Sequence, residues 1–136
     1  GLRLLRDCSP AGMEIAAGEY GYDLFYFRRM LDAGAVDVLQ ADATRCAGIT
    51  GFMAVGTLCQ SRSMLLSAHT APSLHAHPCC ALTPACHVEY FFDHARIEPI
   101  FFDGALMSKD GALQPDLIGP GIGLDLKRAD VERYRV

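Results

Sequence analysis

Two kinds of apolar stretch alternate along this chain. Met13–Ala17, Val36–Ala41, Ser63–Ala68 and Cys86–Val88 are short and mostly apolar, the pattern of strands covered on both faces. Between them, apolar residues recur at helical spacing. From Tyr22 to Leu31, the residues Leu24, Phe27, Met30 and Leu31 form one stripe, Arg28, Arg29 and Asp32 face elsewhere, and Ala33-Gly34 supplies a stop signal. Ile49 to Cys59 repeats the pattern behind Gly48. A shorter helix is expected over Leu74 to Leu82, with Pro78 near its start or kinking it. The opening Gly1-Leu2-Arg3-Leu4-Leu5-Arg6-Asp7 reads as the middle of an amphipathic helix with neither Met nor cap before it, so a fragment of a longer chain is expected.

The order is therefore helix and strand four times over, with strand ends roughly 20 to 27 residues apart. That spacing predicts an α/β fold of about four consecutive βα units on a parallel sheet. From Phe92 onward the pattern changes. Phe101-Phe102-Asp103-Gly104 and Lys109-Asp110-Gly111 are turn signals, and Pro115, Pro120, Gly121 and Gly123 interrupt any long element. This stretch is expected to form short hairpins and irregular coil, not another βα unit.

Composition narrows the class. The 136 residues are 51% hydrophobic and 21% charged, as in a folded single domain. A net charge of −4 with scattered basic residues argues against nucleic acid or an anionic membrane surface as partner. No apolar run approaches the length of a membrane span, and no signal-peptide pattern opens the chain. Six cysteines without a CxxC pair are expected mostly as small buried side chains in a reducing, cytoplasmic compartment.

The candidate chemistry lies at the strand ends, where parallel α/β proteins carry their reactive groups. The four runs end at Glu19, Asp42, His69 and Glu89. One such residue is ordinarily a cap or a surface group; four in register suggest a site. Arg45, close to Asp42 in sequence, is expected as its structural ion-pair partner more than as a substrate ligand. His75-x-His77-x-Cys79 alternates as a zinc site would, but the stretch reads as a helix, where these positions do not share a face. Gly119-Pro120-Gly121-Ile122-Gly123 follows no strand and opens no helix, which argues against a dinucleotide loop.

The residues also carry a family resemblance. Val38-Leu39-Gln40-Ala41-Asp42-Ala43-Thr44-Arg45-Cys46-Ala47-Gly48-Ile49-Thr50 resembles the sixth-strand segment of the mandelate racemase branch of the enolase superfamily. Gly18-Glu19 resembles its fifth-strand segment. Ser67-Ala68-His69, then His77, then His87-Val88-Glu89-Tyr90 resemble its seventh and eighth. Pro120-Gly121-Ile122-Gly123-Leu124, with Tyr134, is similar to its C-terminal tail. Ala47 departs from the pattern, since a second glycine is common there.

The resemblance implies the C-terminal half of a TIM-type (β/α)8 barrel. Residues 1–100 would form the half-barrel, and residues 101–136 a tail packing on an absent N-terminal capping domain. It also implies a Mg2+-dependent acid-sugar dehydratase or racemase that removes a proton alpha to a carboxylate. Glu19 would be a metal ligand, His69 the base or acid, Asp42 the group fixing the imidazole tautomer, and Glu89 a hydrogen-bond partner of the substrate carboxylate. The substrate would be a small carboxylate such as an acid sugar or 2-hydroxy acid, and the full-length protein a homo-oligomer. A complete barrel needs about 250 residues, so this chain alone is expected to be inactive. Two other readings stand beside this one: a non-catalytic half-barrel acting only through assembly with a partner, and a small zinc-binding module.

Overall fold

A computed structural model describes residues 1–136. Helix α1 (Leu2–Asp7) leads into strand β1 (Ala16–Ala17), and then helix and strand alternate: α2 (Leu24–Asp32), β2 (Val38–Ala41), α3 (Gly48–Ser61), β3 (Leu65–Ala68), α4 (Pro72–Cys80) and β4 (Ala85–Val88). The four strands form one sheet in the order β1-β2-β3-β4, every pair parallel. Sequential parallel neighbours joined by helices are what the strand spacing predicts.

Local chemistry sets the element ends. The Asp23 carboxylate accepts the Tyr26 N–H at 2.7 Å and caps α2, and Gly34, at φ +59°, ends it. Pro72 opens α4, where its missing N–H costs nothing. That helix begins two residues earlier than the stripe suggests. Pro78 lies in its last turn, near its end and not its start. Ala47 stands at φ +67° ahead of α3, so the common glycine at this position has a physical reason: a Cβ there costs about 1–2 kcal/mol.

The sheet's two faces differ in chemistry. Leu39, Ala41, Leu66 and Ala68 point to the helices and join Phe27, Val36, Phe52, Val55 and Cys59 in the core. The alternate positions, Val38, Gln40, Leu65 and Ser67, lie on the other face, and the same alternation carries Asp42 and His69 onto it. Between β3 and β4 the pairing steps from Leu66↔Ala85 to Ser67↔His87, so Cys86 is a bulge residue. The bulge resets the phase, and Glu89 follows Val88 on the face that bears His69.

Beyond Tyr90 the expected coil is partly wrong. Phe92–Phe101 is a helix, α5, although none of its residues is buried. It lacks an apolar stripe and contains Pro99, so neither periodicity nor propensity marks it. Tertiary contacts hold it instead: Ser73 donates to Glu98 at 2.6 Å, and Lys127 donates to the Pro99 carbonyl at 2.8 Å. The hairpin that follows pairs β5 (Phe102–Asp103) with β6 (Asp125–Leu126), then comes a short helix, α6 (Arg128–Val131). This tail is tied to α4 by the Leu106 N–H, which donates to Ser73 at 2.8 Å.

The cysteines also depart from expectation. All six are free, but only Cys46 and Cys59 are buried, while Cys8, Cys80 and Cys86 are exposed. Cys80 ends α4 and Cys86 is the bulge residue, positions that hydrophobic pattern alone does not locate. No helix is long and apolar enough to cross a membrane.

Candidate active site

Each of the four singled-out residues stands just past the C-terminal end of its strand, Glu19 two residues on and the others immediately after. The ladder continues into this layer, since the His69 N–H donates to the Ala41 carbonyl and the Glu89 N–H to the Ala68 carbonyl, both at 2.9 Å. Register therefore sets Asp42, His69 and Glu89 side by side.

Asp42 and His69 form the tightest pair, with Nδ1 of His69 2.9 Å from Oδ2 of Asp42. The other oxygen, Oδ1, accepts the Thr44 N–H at 2.8 Å and its hydroxyl at 2.7 Å. Asp42 is only 2% exposed. Burial pushes its carboxyl up, but the hydrogen bonds from His69 and Thr44 together outweigh burial and hold it below the ordinary carboxylate value. An Asp42 ionised at neutral pH keeps the proton on the Nδ1 it faces and leaves Nε2 of His69 with the free lone pair.

That Nε2 faces Glu89, 3.8 Å from Oε2. Glu89 is more exposed than Asp42, and Oε2 also accepts the Thr70 N–H at 3.2 Å. One layer deeper, Gln40, Ser67 and His87 are in register on the same face, and the buried Ser67 hydroxyl has no partner.

Arg45 joins the first strand end to the next two. Its Nη1 donates to the Glu19 carbonyl at 3.1 Å and lies 3.4 Å from Nδ1 of His69, and Nε is 3.7 Å from Asp42 Oδ2. Its guanidinium stacks 4.7 Å over the Tyr20 ring. The arginine is thus the ion-pair partner of Asp42 and also a strut between β1 and β2.

Glu19 follows Gly18, whose φ is +137° and where a Cβ would come 2.2 Å from the Gln40 carbonyl oxygen. Only glycine lets β1 pass this close to β2. The single hydrogen bond to the Glu19 carboxylate comes from the Gly18 N–H at 3.2 Å. A hard anionic oxygen donor, so lightly engaged at a strand end, suits one ligand position of a divalent cation. No group of three or more His, Cys, Asp or Glu side chains converges within this chain, so Glu19 would be one member of a larger set.

The same observation removes the zinc alternative. Both nitrogens of His75 face backbone groups: the Ala43 N–H donates to Nε2 at 2.9 Å, and Nδ1 lies 2.9 Å from the Thr70 carbonyl. Neither is free for a metal.

Residues 1–131 match the family described as enolase C-terminal domain-like. The chain belongs to that family. It superposes on a mandelate racemase/muconate lactonizing enzyme-like protein from Rubrobacter xylanophilus with a TM-score of 0.91 and 50% identity, covering 99% of this chain and 37% of that one. An enolase from Bradyrhizobium complexed with magnesium and mandelic acid is 28% identical at a TM-score of 0.83, covering 97% and 34%. L-talarate dehydratase from Polaromonas sp. JS666, complexed with Mg and L-glucarate, is also 28% identical, with a TM-score of 0.75 and coverage of 89% and 32%. The chain spans about a third of the length of these structures. Its four βα units are the C-terminal half of the enolase-superfamily barrel.

Sequence reasoning singled out the four ionisable ends but overlooked what holds them. Thr44 and Thr70 act through short polar contacts that no spacing rule marks. Arg45 carried a signal in its nearness to Asp42, although its reach to Glu19 is visible only in three dimensions. His75 was grouped with soft metal ligands.

Proposed function

We propose that this chain supplies the acid–base side of the active site in a Mg2+-dependent enzyme that abstracts a proton alpha to a carboxylate. The observation that carries this is the 2.9 Å Asp42–His69 bond, which leaves Nε2 free on the open face of the sheet. A carbon acid bound there gives its proton to Nε2, and the C–H electron pair moves into the substrate carboxylate. Asp42 stabilises the imidazolium that forms. Glu89, in its protonated form, donates a hydrogen bond to the substrate carboxylate, where negative charge develops. Glu19 would hold the cation together with ligands from the rest of the barrel. When bound, Mg2+ supplies charge neutralisation for the developing dianion.

The finer reading is a dehydratase acting on an acid sugar. It rests on the Asp–His pairing, on the likeness to a dehydratase complexed with L-glucarate, and on the polar deeper layer. In that reaction the enolate expels a β-hydroxyl, with His69 returning its proton to the departing oxygen; in a racemase a proton returns to the same carbon. The catalytic unit is the complete barrel. The tail's outward side, where Leu117 and Ile118 are 83% and 98% exposed, would meet a capping domain.

The test is exchange of the substrate α-proton with D2O in the complete enzyme with Mg2+ and a panel of acid sugars. His69→Asn is expected to abolish exchange. Unchanged exchange in that variant would remove His69 as the base. Loss of water from the substrate identifies a dehydratase, and label uptake with inversion alone identifies a racemase.

A further inference from the structure

We propose that His75 is a positioning residue for this site, a neutral imidazole protonated at Nδ1 that ties the turn after β3 to the turn after β2. The inference rests on the reading of Asp42, His69 and Glu89 given above.

His75 sits in the first half of α4 with no exposed surface, its ring 5.1 Å from Phe52. Its two nitrogens have opposite roles. An amide can only donate, so Nε2, 2.9 Å from the Ala43 nitrogen, bears the lone pair. A carbonyl can only accept, so Nδ1, 2.9 Å from the Thr70 oxygen and 3.1 Å from the Ala71 oxygen, bears the proton. Ala43 directly follows Asp42, and Thr70 directly follows His69. One buried ring therefore links the two turns that carry the acid–base pair.

The turn after His69 needs such a link. Thr70 and Ala71 both lie in the left-handed region, at φ +44° and +38°. Two consecutive non-glycine residues in that conformation are strained and persist only where surroundings impose them. His75 holds the carbonyls of both. With its carbonyl so held, the Thr70 residue directs its N–H at Glu89 Oε2, 3.2 Å away. The ring thus acts on Asp42 through Ala43 and on Glu89 through Thr70 without touching substrate. An imidazolium would set an N–H against the Ala43 N–H, and burial pushes the His75 pKa below its ordinary value. Asp42 Oδ1 lies 3.9 Å from Nε2, but its donors are the two from Thr44.

The experiment uses the complete enzyme, with 15N-labelled histidine and three variants. In the wild type, the His75 signals are expected to show protonated Nδ1 and unprotonated Nε2 at pH 7. His75→Phe fills the volume beside Phe52 without either hydrogen bond. It is expected to lower kcat for α-proton exchange about 10- to 100-fold, the cost of an ångström-scale misplacement, with little change in KM. The Thr70 and Ala43 amides should exchange faster with D2O in that variant. His75→Gln, which restores an acceptor for Ala43, should recover part of kcat. An Nε2–H tautomer, or an unchanged kcat in His75→Phe with only a lower melting temperature, would overturn the proposal. If His75→Phe does not fold, the tautomer and the His75→Gln kinetics decide. Failure of the functional reading shows separately, as exchange that survives His69→Asn, and the tautomer and the amide exchange then still decide for or against the bridge.

Discussion

The centre of the site and its flanks are built differently. At the centre, β2 and β3 pair through four consecutive residues without irregularity, and Asp42 is buried and hydrogen-bonded on both oxygens. On the flanks, β1 is a two-residue strand and β4 joins through a bulge, and Glu19 and Glu89 are each partly exposed. The hydrogen bonds of the Asp42–His69 pair are complete within this chain, whereas the flanking carboxylates keep free capacity. That division suits a half-barrel whose middle strands are fully paired and whose outer strands await neighbours. In the function proposed above, a proton-transfer group must be orientated before substrate arrives, while groups that would grip a cation or a substrate must keep open valence.

The largest effect expected at the centre comes from Asp42→Asn. Thr44 donates twice to Oδ1, so the asparagine oxygen takes that side and its NH2 is turned toward His69 Nδ1. The imidazole is then driven to the wrong tautomer, and α-proton exchange should fall about 10⁴-fold, as for comparable Asp–His pairs. On the flank, Glu89→Gln should cost about 10²-fold. Equal losses at the two positions, measured by exchange in D2O, would abolish the distinction between centre and flank.

Gly18→Ala tests the other flank through stability. Its Cβ would collide with the Gln40 carbonyl in a left-handed conformation, and a loss of about 3 kcal/mol is expected in thermal unfolding. Thr44→Val should cost about 1.5–3 kcal/mol by stripping a hydroxyl donor from a buried carboxylate. Because the folded Asp42 pKa is lowered, its stabilisation is present above 3.8 and is lost as pH falls through the folded value. Denaturant titrations at pH 7, 4 and 3 should show that loss shrink in Thr44→Val.

His75 adds a second window higher up. Its folded pKa also lies below the ordinary 6.5, so the unfolded chain takes up a proton first. Stability is then full above 6.5 and falls as pH drops toward the folded value, a slope that His75→Phe should flatten. The smallest effect belongs to the exposed Arg3–Asp7 pair at 3.0 Å on α1. Arg3→Ala should change stability by no more than about 0.5 kcal/mol and leave exchange untouched.

Much of the fold was legible because its signals are local. Short apolar runs, the Asp23 cap and the Gly34 stop all act within a few residues of where they are read. The four ionisable ends were legible because a parallel sheet repeats its geometry at each strand. Helix α5 was illegible for the opposite reason: contacts from Ser73 and Lys127, distant in sequence, hold it. Cys86 was read as an ordinary strand residue because a bulge is a property of pairing.

Periodicity and turn chemistry are encoded along the chain, so the βα order, the family resemblance and the residue types at the strand ends were all readable from it. Tertiary structure alone decided the direction in which each group points. The bulge at Cys86 brings Glu89 onto the face of His69, Thr44 fixes which Asp42 oxygen meets the imidazole, and the buried ring of His75 joins two turns 27 residues apart at Asp42 and His69. Hydrogen bonds depend on angles and separations of a few tenths of an ångström, and only the packed chain sets these.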